Sequence, residues 1–275
     1  MSALPLPKTL QERLDLPEVL EIRATLDEYF DFVESCEYRL DYADGKIIAM
    51  GYASISHEAL VGRLIYLLTD LLGLNSDFRV LGSNVATFIP EVPAVHNGDV
   101  VVLQGKPIYH IHQSPKKKVK VLTNPYLIVE VLSKGTERYD RGMKVQRYKT
   151  LPSVQYIMLV DQKKPGVSLY SRTGRPGEWL NLEVNDPESG YVTIQRKKLR
   201  LLDIYQNALA DETVRFTSNL YGGNYILNPS PRAVLFHRGF WPPFHNLPLP
   251  ALPASGGVKH LWNKFQSYRC PYWRE

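Results

Sequence analysis

The stretch "YLIVEVL", residues 126–132, restricts the fold of this chain more than any other. Leu127, Ile128, Val129, Val131 and Leu132 are apolar without alternation, the pattern of a strand buried on both faces. Glu130 stands in their middle. A lone carboxylate taken out of water costs several kcal/mol unless something compensates it. Any fold that buries this strand must therefore provide for the acid.

A second acid answers the first. In "NGDVVVL", Asp99 opens another apolar strand, 31 residues before Glu130. On neighbouring strands the two carboxylates can face one spot, where they tolerate each other best with a cation between them. Hard carboxylate oxygens plus a strand carbonyl suit Mg²⁺, with positions left for water and phosphate. In the plain alternative, Glu130 faces an edge and pairs with Arg141 or Lys134, while Asp99 is a turn residue after Asn97-Gly98. The helix expected over "TERYDRGMKVQRYKTL", stopped by Pro152, weighs against it. Lys144 and Tyr148, four residues apart, share one face of that helix. A lysine beside a metal-bound phosphodiester can offset developing charge or orient the attacking water. Two acids and a lysine are the minimal set for metal-assisted phosphodiester hydrolysis.

Around these motifs, elements alternate. "TLDEYFDFVES" reads as a helix with a Thr25–Glu28 capping box. "YRLDYADGKIIAMG" reads as a hairpin turning at Asp44-Gly45. "SISHEALVGRLIYLLTDLLG" is a helix capped by Ser54 or Ser56 and stopped at Gly73. Strands are expected at "RVLGSNVATFI", "GDVVVLQ", "YLIVEVLS", "VQYIMLV", "GVSLYSR", "EWLNLEV" and near residues 191–194, the last leading into "LRLLDIYQNAL". The interleaving predicts an α/β fold, a mixed sheet covered by helices on both faces.

The net charge of +5 invites a nucleic-acid reading, but its location means that it is no evidence that the body binds DNA. From residue 220 onward the chain holds six basic residues against Glu275 alone, so the rest is neutral. That tail also carries eight of the 20 prolines and three of the four tryptophans, without helical or alternating periodicity. It is either a binding appendage or a segment following the functional domain without a role in it; the lack of periodicity favours the second. The expected division is a core domain over 20–212 and a Pro/aromatic-rich basic tail over 213–275. No apolar run approaches a membrane span, the N-terminus lacks an export signal, and Cys36 and Cys270 suggest neither disulfide framework nor thiolate site. A reducing cytoplasm is the expected location.

From Leu26 to Ala208 the motifs "YRLDYADGKIIAMG", "SISHEALVGRL", "GDVVVL", "PYLIVEVLS" and "YDRGMKVQRYKTLPSVQYIMLVD" follow in order, and the chain resembles the Uma-type restriction endonuclease family of the PD-(D/E)XK nuclease superfamily. The resemblance implies a restriction-endonuclease-like fold, a central mixed β-sheet flanked by α-helices with the active site at one end of its central strands. It places the family's strand acids on Asp99 and Glu130 and its Lys-x-x-x-Tyr pair on Lys144 and Tyr148. It implies a Mg²⁺- or Mn²⁺-dependent DNA endonuclease in which Asp99 and Glu130 hold the metal. The hairpin acid maps to Asp41, one carbon shorter, as a metal helper. Two positions depart from the pattern. Gly98 replaces the signature proline, and Leu132 stands where the superfamily has its lysine. Lys144 then inherits that role, with Lys134 as its rival. The alternative from another class is a catalytically silent nucleic-acid-binding or assembly protein that retains the nuclease fold. A homodimer would suit two nicks in a duplex, though no residue fixes one.

Other residues read more plainly. His57 either positions a phosphate at a helix N-terminus or caps and packs, with structure favoured. His110 and His112 share a strand face, but without a third ligand zinc is not expected. "PKKKVK", residues 115–120, reads as a solvated connection rather than a phosphate contact.

Overall fold

The computed structural model describes residues 6–14, 19–51, 53–74, 76–113, 118–133, 135–206 and 208. The expected tail, 213–275, and Lys134 lie outside the described residues. In chain order the strands are β1 (Leu20–Arg23), β2 (Leu40–Ala43), β3 (Lys46–Ala49), β4 (Phe78–Gly82), β5 (Ala86–Ile89), β6 (Ala94–Asn97), β7 (Val100–Gln104) and β8 (Tyr109–Gln113). Then follow β9 (Lys118–Leu122), β10 (Pro125–Leu132), β11 (Tyr156–Asp161), β12 (Val167–Arg172), β13 (Trp179–Val184), β14 (Tyr191–Ile194) and β15 (Lys197–Arg200).

Two large mixed sheets result, where one was expected. One runs β13-β12-β11-β10-β7-β4, the other β1-β3-β2-β6-β5-β9-β8, and β14–β15 form a small hairpin. The first sheet is antiparallel except for β10–β11, which pair in parallel with Glu130 opposite Leu159. Every residue of β10 is buried, as its unbroken apolar run requires.

Alternation decides what each face of β10 meets. Leu127, Val129 and Val131 pack with Leu60, Leu64 and Leu68 of the helix Ile55–Leu72. Ile128 and Leu132 face the other way, onto Val145, Tyr148 and Leu151, and onto Ile48 and Ile89 of the second sheet. Glu130 has the parity of Ile128 and Leu132, so it points into the space between the sheets.

The local signals act as their chemistry predicts. Thr25 and Glu28 close a reciprocal capping box at 3.2 and 2.8 Å. Asp44 and Gly45 turn the β2–β3 hairpin with φ of 52° and 71°. Ser54 caps its helix by accepting from the His57 N–H at 3.2 Å, and Gly73 ends it.

Several strands differ from expectation. The run "RVLGSNVATFI" splits into β4 and β5, which join different sheets. Lys118 begins β9, not a solvated connection; Lys118 and Lys120 are exposed while Val121 is buried, the alternation of a half-buried strand. In β8, His110 and His112 face inward and stack on Phe88 and Phe30 with ring centroids 4.1 and 4.4 Å apart, while Ile111 faces out. Residues 197–200 form β15, which shortens the last helix to Leu201–Tyr205.

Candidate active site

The β7–β10 pairing brings the two strand acids together. Val100 lies opposite Val129, and the Asp99 N–H donates to the Val129 carbonyl at 2.9 Å. Asp99 Oδ2 accepts from the Val131 N–H at 2.8 Å and lies 3.2 Å from His57 Nε2. Burial pushes the Asp99 carboxyl up, but His57 and the Val131 N–H outweigh it and hold it below its ordinary value. His57 is raised in turn, since Asp99 overcomes the burial that lowers it. Ser54, not His57, caps the helix, and the His57 ring holds one acid of the site.

Gly98 explains how Asp99 can sit there. A Cβ on Gly98 would lie 2.8 Å from Ile128 Cγ2, inside the packed β7–β10 contact. A side chain at position 98 would therefore force Ile128 to shift. Gly98→Ala is expected to destabilise the protein by about 1–3 kcal/mol through overpacking and to displace Asp99. Urea unfolding checks it, and an unchanged midpoint would show that Ile128 yields freely.

On the facing helical segment, Asp140–Lys144 form a π-helical turn that runs into the helix Val145–Thr150. Such turns recur at functional sites. Lys144 Nζ lies 3.2 Å from Glu130 Oε1, 3.2 Å from Asp140 Oδ1 and 3.3 Å from Asp41 Oδ2. The Tyr148 hydroxyl donates to Glu130 Oε1 at 2.6 Å. Burial alone would push Lys144 down, yet the carboxylates around it raise it well above its ordinary value, so it carries its charge. Glu130 is raised well above the carboxylate range: burial dominates, and Asp140 and Asp99 add to it against Lys144. The edge pairing with Arg141 does not form; Arg141 bonds Glu137 and Ser168 instead.

Asp41 completes the constellation from the second sheet. Its Oδ1 accepts from the Asn97 backbone and side-chain nitrogens at 2.9 and 3.0 Å. Its Oδ2 meets His96 Nδ1 at 3.1 Å as well as Lys144. Burial raises Asp41, but Lys144, His96 and Asn97 hold it well below the usual carboxylate range. His96 itself is lowered by burial, so a neutral ring donating from Nδ1 fits the pair.

Asp41, Asp99, Glu130 and Lys144 all line one cleft of about 1040 Å³, with Val131, His57 and Arg39. Within it, Glu130 Oε2 receives no hydrogen bond from the described residues, and Asp99 Oδ1 has only Arg39, at 3.7 Å. Among the described residues no three His, Cys, Asp or Glu side chains converge as a ready-made metal cluster. Asp41 and Glu130 are linked through Lys144, which lies 3.3 Å from the one and 3.2 Å from the other.

Asp140, His96, Asn97 and Arg39 were not singled out from the sequence. Asp140 had a signal, an acid four residues before Lys144 on the same helix. His96 and Asn97 had none, because their ties to Asp41 span 55 and 56 residues and exist only once β2 pairs with β6.

The architecture, large mixed sheets flanked by helices, is restriction-endonuclease-like. A crystal structure described as a putative nuclease belonging to DUF820, from Anabaena variabilis, superposes with a TM-score of 0.50 at 17% identity, over 74% of this chain and all of that one. Two uncharacterized proteins of Synechocystis sp. are 29% and 32% identical over 157 and 155 residues, which span 57% and 56% of this chain and 85% and 77% of theirs. Residues 26–194 match the Uma2 family, described as "Putative restriction endonuclease", and the chain belongs to that family. No helix among the described residues is long and apolar enough to cross a membrane.

Proposed function

We propose that the chain is a Mg²⁺- or Mn²⁺-dependent endonuclease that hydrolyses phosphodiester bonds in DNA. One observation carries this: neighbouring strands aim Asp99 and Glu130 into a single cleft, with Glu130 gripped by Lys144 and Tyr148. The donor set fits a divalent cation. Glu130 and Asp99 both line the cleft with hard carboxylate oxygens, and the Glu130 carboxyl is raised first by burial and then by Asp140 and Asp99, against Lys144. When bound, the cation would polarise a phosphoryl oxygen and acidify a water.

The protein's own residues do the rest. Asp99 and Glu130 hold the cation, and His57 and the Val131 N–H fix the Asp99 rotamer. Lys144 steadies Glu130 and the attacking water beside it. Asp41, with both oxygens engaged, acts by holding Lys144. Tyr148 fixes the Glu130 oxygen that it bonds.

Supercoiled plasmid nicking with Mg²⁺ or Mn²⁺, against a chelator control, tests the reading. Metal-dependent nicking is expected. Tyr148→Phe should fold normally and lose on the order of 10–100-fold in metal affinity or rate, the usual effect of removing a group that orients a ligand. Nicking that persists in chelator, or none with metal demonstrably bound, would sink the proposal.

A further inference from the structure

A phosphodiester entering this cleft needs a cation beyond the metal, and Lys144 is poorly placed to be it. Its ammonium has three carboxylate oxygens within 3.3 Å and is almost wholly buried. Lys120 also lines the cleft, on β9, but has no ion pair with its acids among the described residues. Arg39, just before β2, is the cation beside the acids. Its side chain is 35% exposed, Nη1 lies 3.7 Å from Asp99 Oδ1, and its hydrogen bond is a long one, 3.3 Å to the Ser83 carbonyl. A guanidinium offers five N–H donors in a planar fork that matches two phosphate oxygens. Nε and Nη2 of Arg39 have no hydrogen-bond partner among the described residues.

We propose that Arg39 is a catalytic residue that grips the oxygens of the nucleic-acid phosphate brought to Asp99 and Glu130. The proposal rests on the nuclease reading and adds the group that neutralises the phosphate. The contact with Asp99 holds the guanidinium beside the acids through Nη1 and leaves Nε and Nη2 to the phosphate. The anion is thereby drawn to the two carboxylates that would otherwise repel it.

Two measurements on the full chain test this. Anisotropy of a labelled DNA duplex in chelator, across a salt series, reads phosphate contacts without turnover. Arg39→Met should flatten the slope of log affinity against log salt by about 0.9, one phosphate contact. Arg39→Lys should restore the slope. In metal, Arg39→Met should nick plasmid on the order of 10²-fold more slowly, with Mn²⁺ binding by electron paramagnetic resonance unchanged. Arg39→Lys should regain only part of that rate, lacking the fork. An unchanged slope, or a rate that falls only because Mn²⁺ binding is lost, would overturn the proposal. A wild type that binds duplex but does not cut it refutes the nuclease reading and leaves the salt slope to decide Arg39. A wild type that binds no duplex refutes Arg39's role outright.

Discussion

Lys144→Met is expected to destabilise the protein by about 3–5 kcal/mol at neutral pH, the cost of breaking a buried ion pair by removing one partner. The substitution leaves Asp41, Glu130 and Asp140 buried around an apolar side chain. Its pH dependence carries a sign. Lys144 has a raised value in the folded protein, so its contribution is whole below the ordinary lysine value and is lost as pH rises through the raised one. Asp41 is held low by Lys144, so in the wild type its contribution is present above the unfolded carboxyl value and lost as pH falls. Without Lys144, burial pushes Asp41 up, and protonation favours the folded variant as pH drops toward about 5. Urea midpoints at pH 7 and pH 5 should therefore show the gap between wild type and variant narrowing at the lower pH. A constant gap would mean that the carboxylates find other partners when the lysine is gone.

Glu130→Gln is expected to abolish metal-dependent nicking, by about 10³-fold or more, because it removes an anionic ligand from the site where transition-state charge is met. The same change should leave the metal-free protein as stable as the wild type, or more so. The Glu130 carboxyl is raised by burial and by neighbouring acids, so the wild type loses stability as pH rises through that raised value. Glutamine keeps an oxygen that can accept from Tyr148 and Lys144 and has no charge to bury. At pH 8 in chelator the variant should unfold at equal or higher urea, and this advantage should vanish near pH 4. Lower stability at pH 8 would show that Lys144 already satisfies an ionised Glu130, which removes the argument for a missing cation. An activity lost while the fold gains would be the usual exchange of stability for function at a strained polar site.

The proposed ligands and their lysine were legible because each breaks a local rule. Glu130 interrupts an apolar strand, Asp99 opens another, and Lys144 and Tyr148 repeat at helical spacing. The hairpin at Asp44-Gly45 and the Thr25 capping box were legible for a similar reason, since their chemistry is complete within a few residues. What failed was pattern reading where polar side chains occupy strand positions. β8 turns its histidines inward to stack on phenylalanines in place of an apolar face, and β9 does alternate lysine with valine, but its run of charge was read ahead of that period.

The sequence by itself determined that an acid must be buried in a central strand, that a second acid begins its neighbour, and that a lysine and a tyrosine share one helix face. These follow from desolvation and from the fixed periods of strand and helix. Only the tertiary structure decided that there are two sheets, that Asp41 reaches Lys144 from the second, and that His57 and His96 each hold one acid. It also decided that Gly98 is packed against Ile128 with no room for a side chain. Such pairings join residues tens of positions apart, and their energy exists only when the intervening chain has folded. No local pattern encodes a contact whose two halves are worth nothing separately.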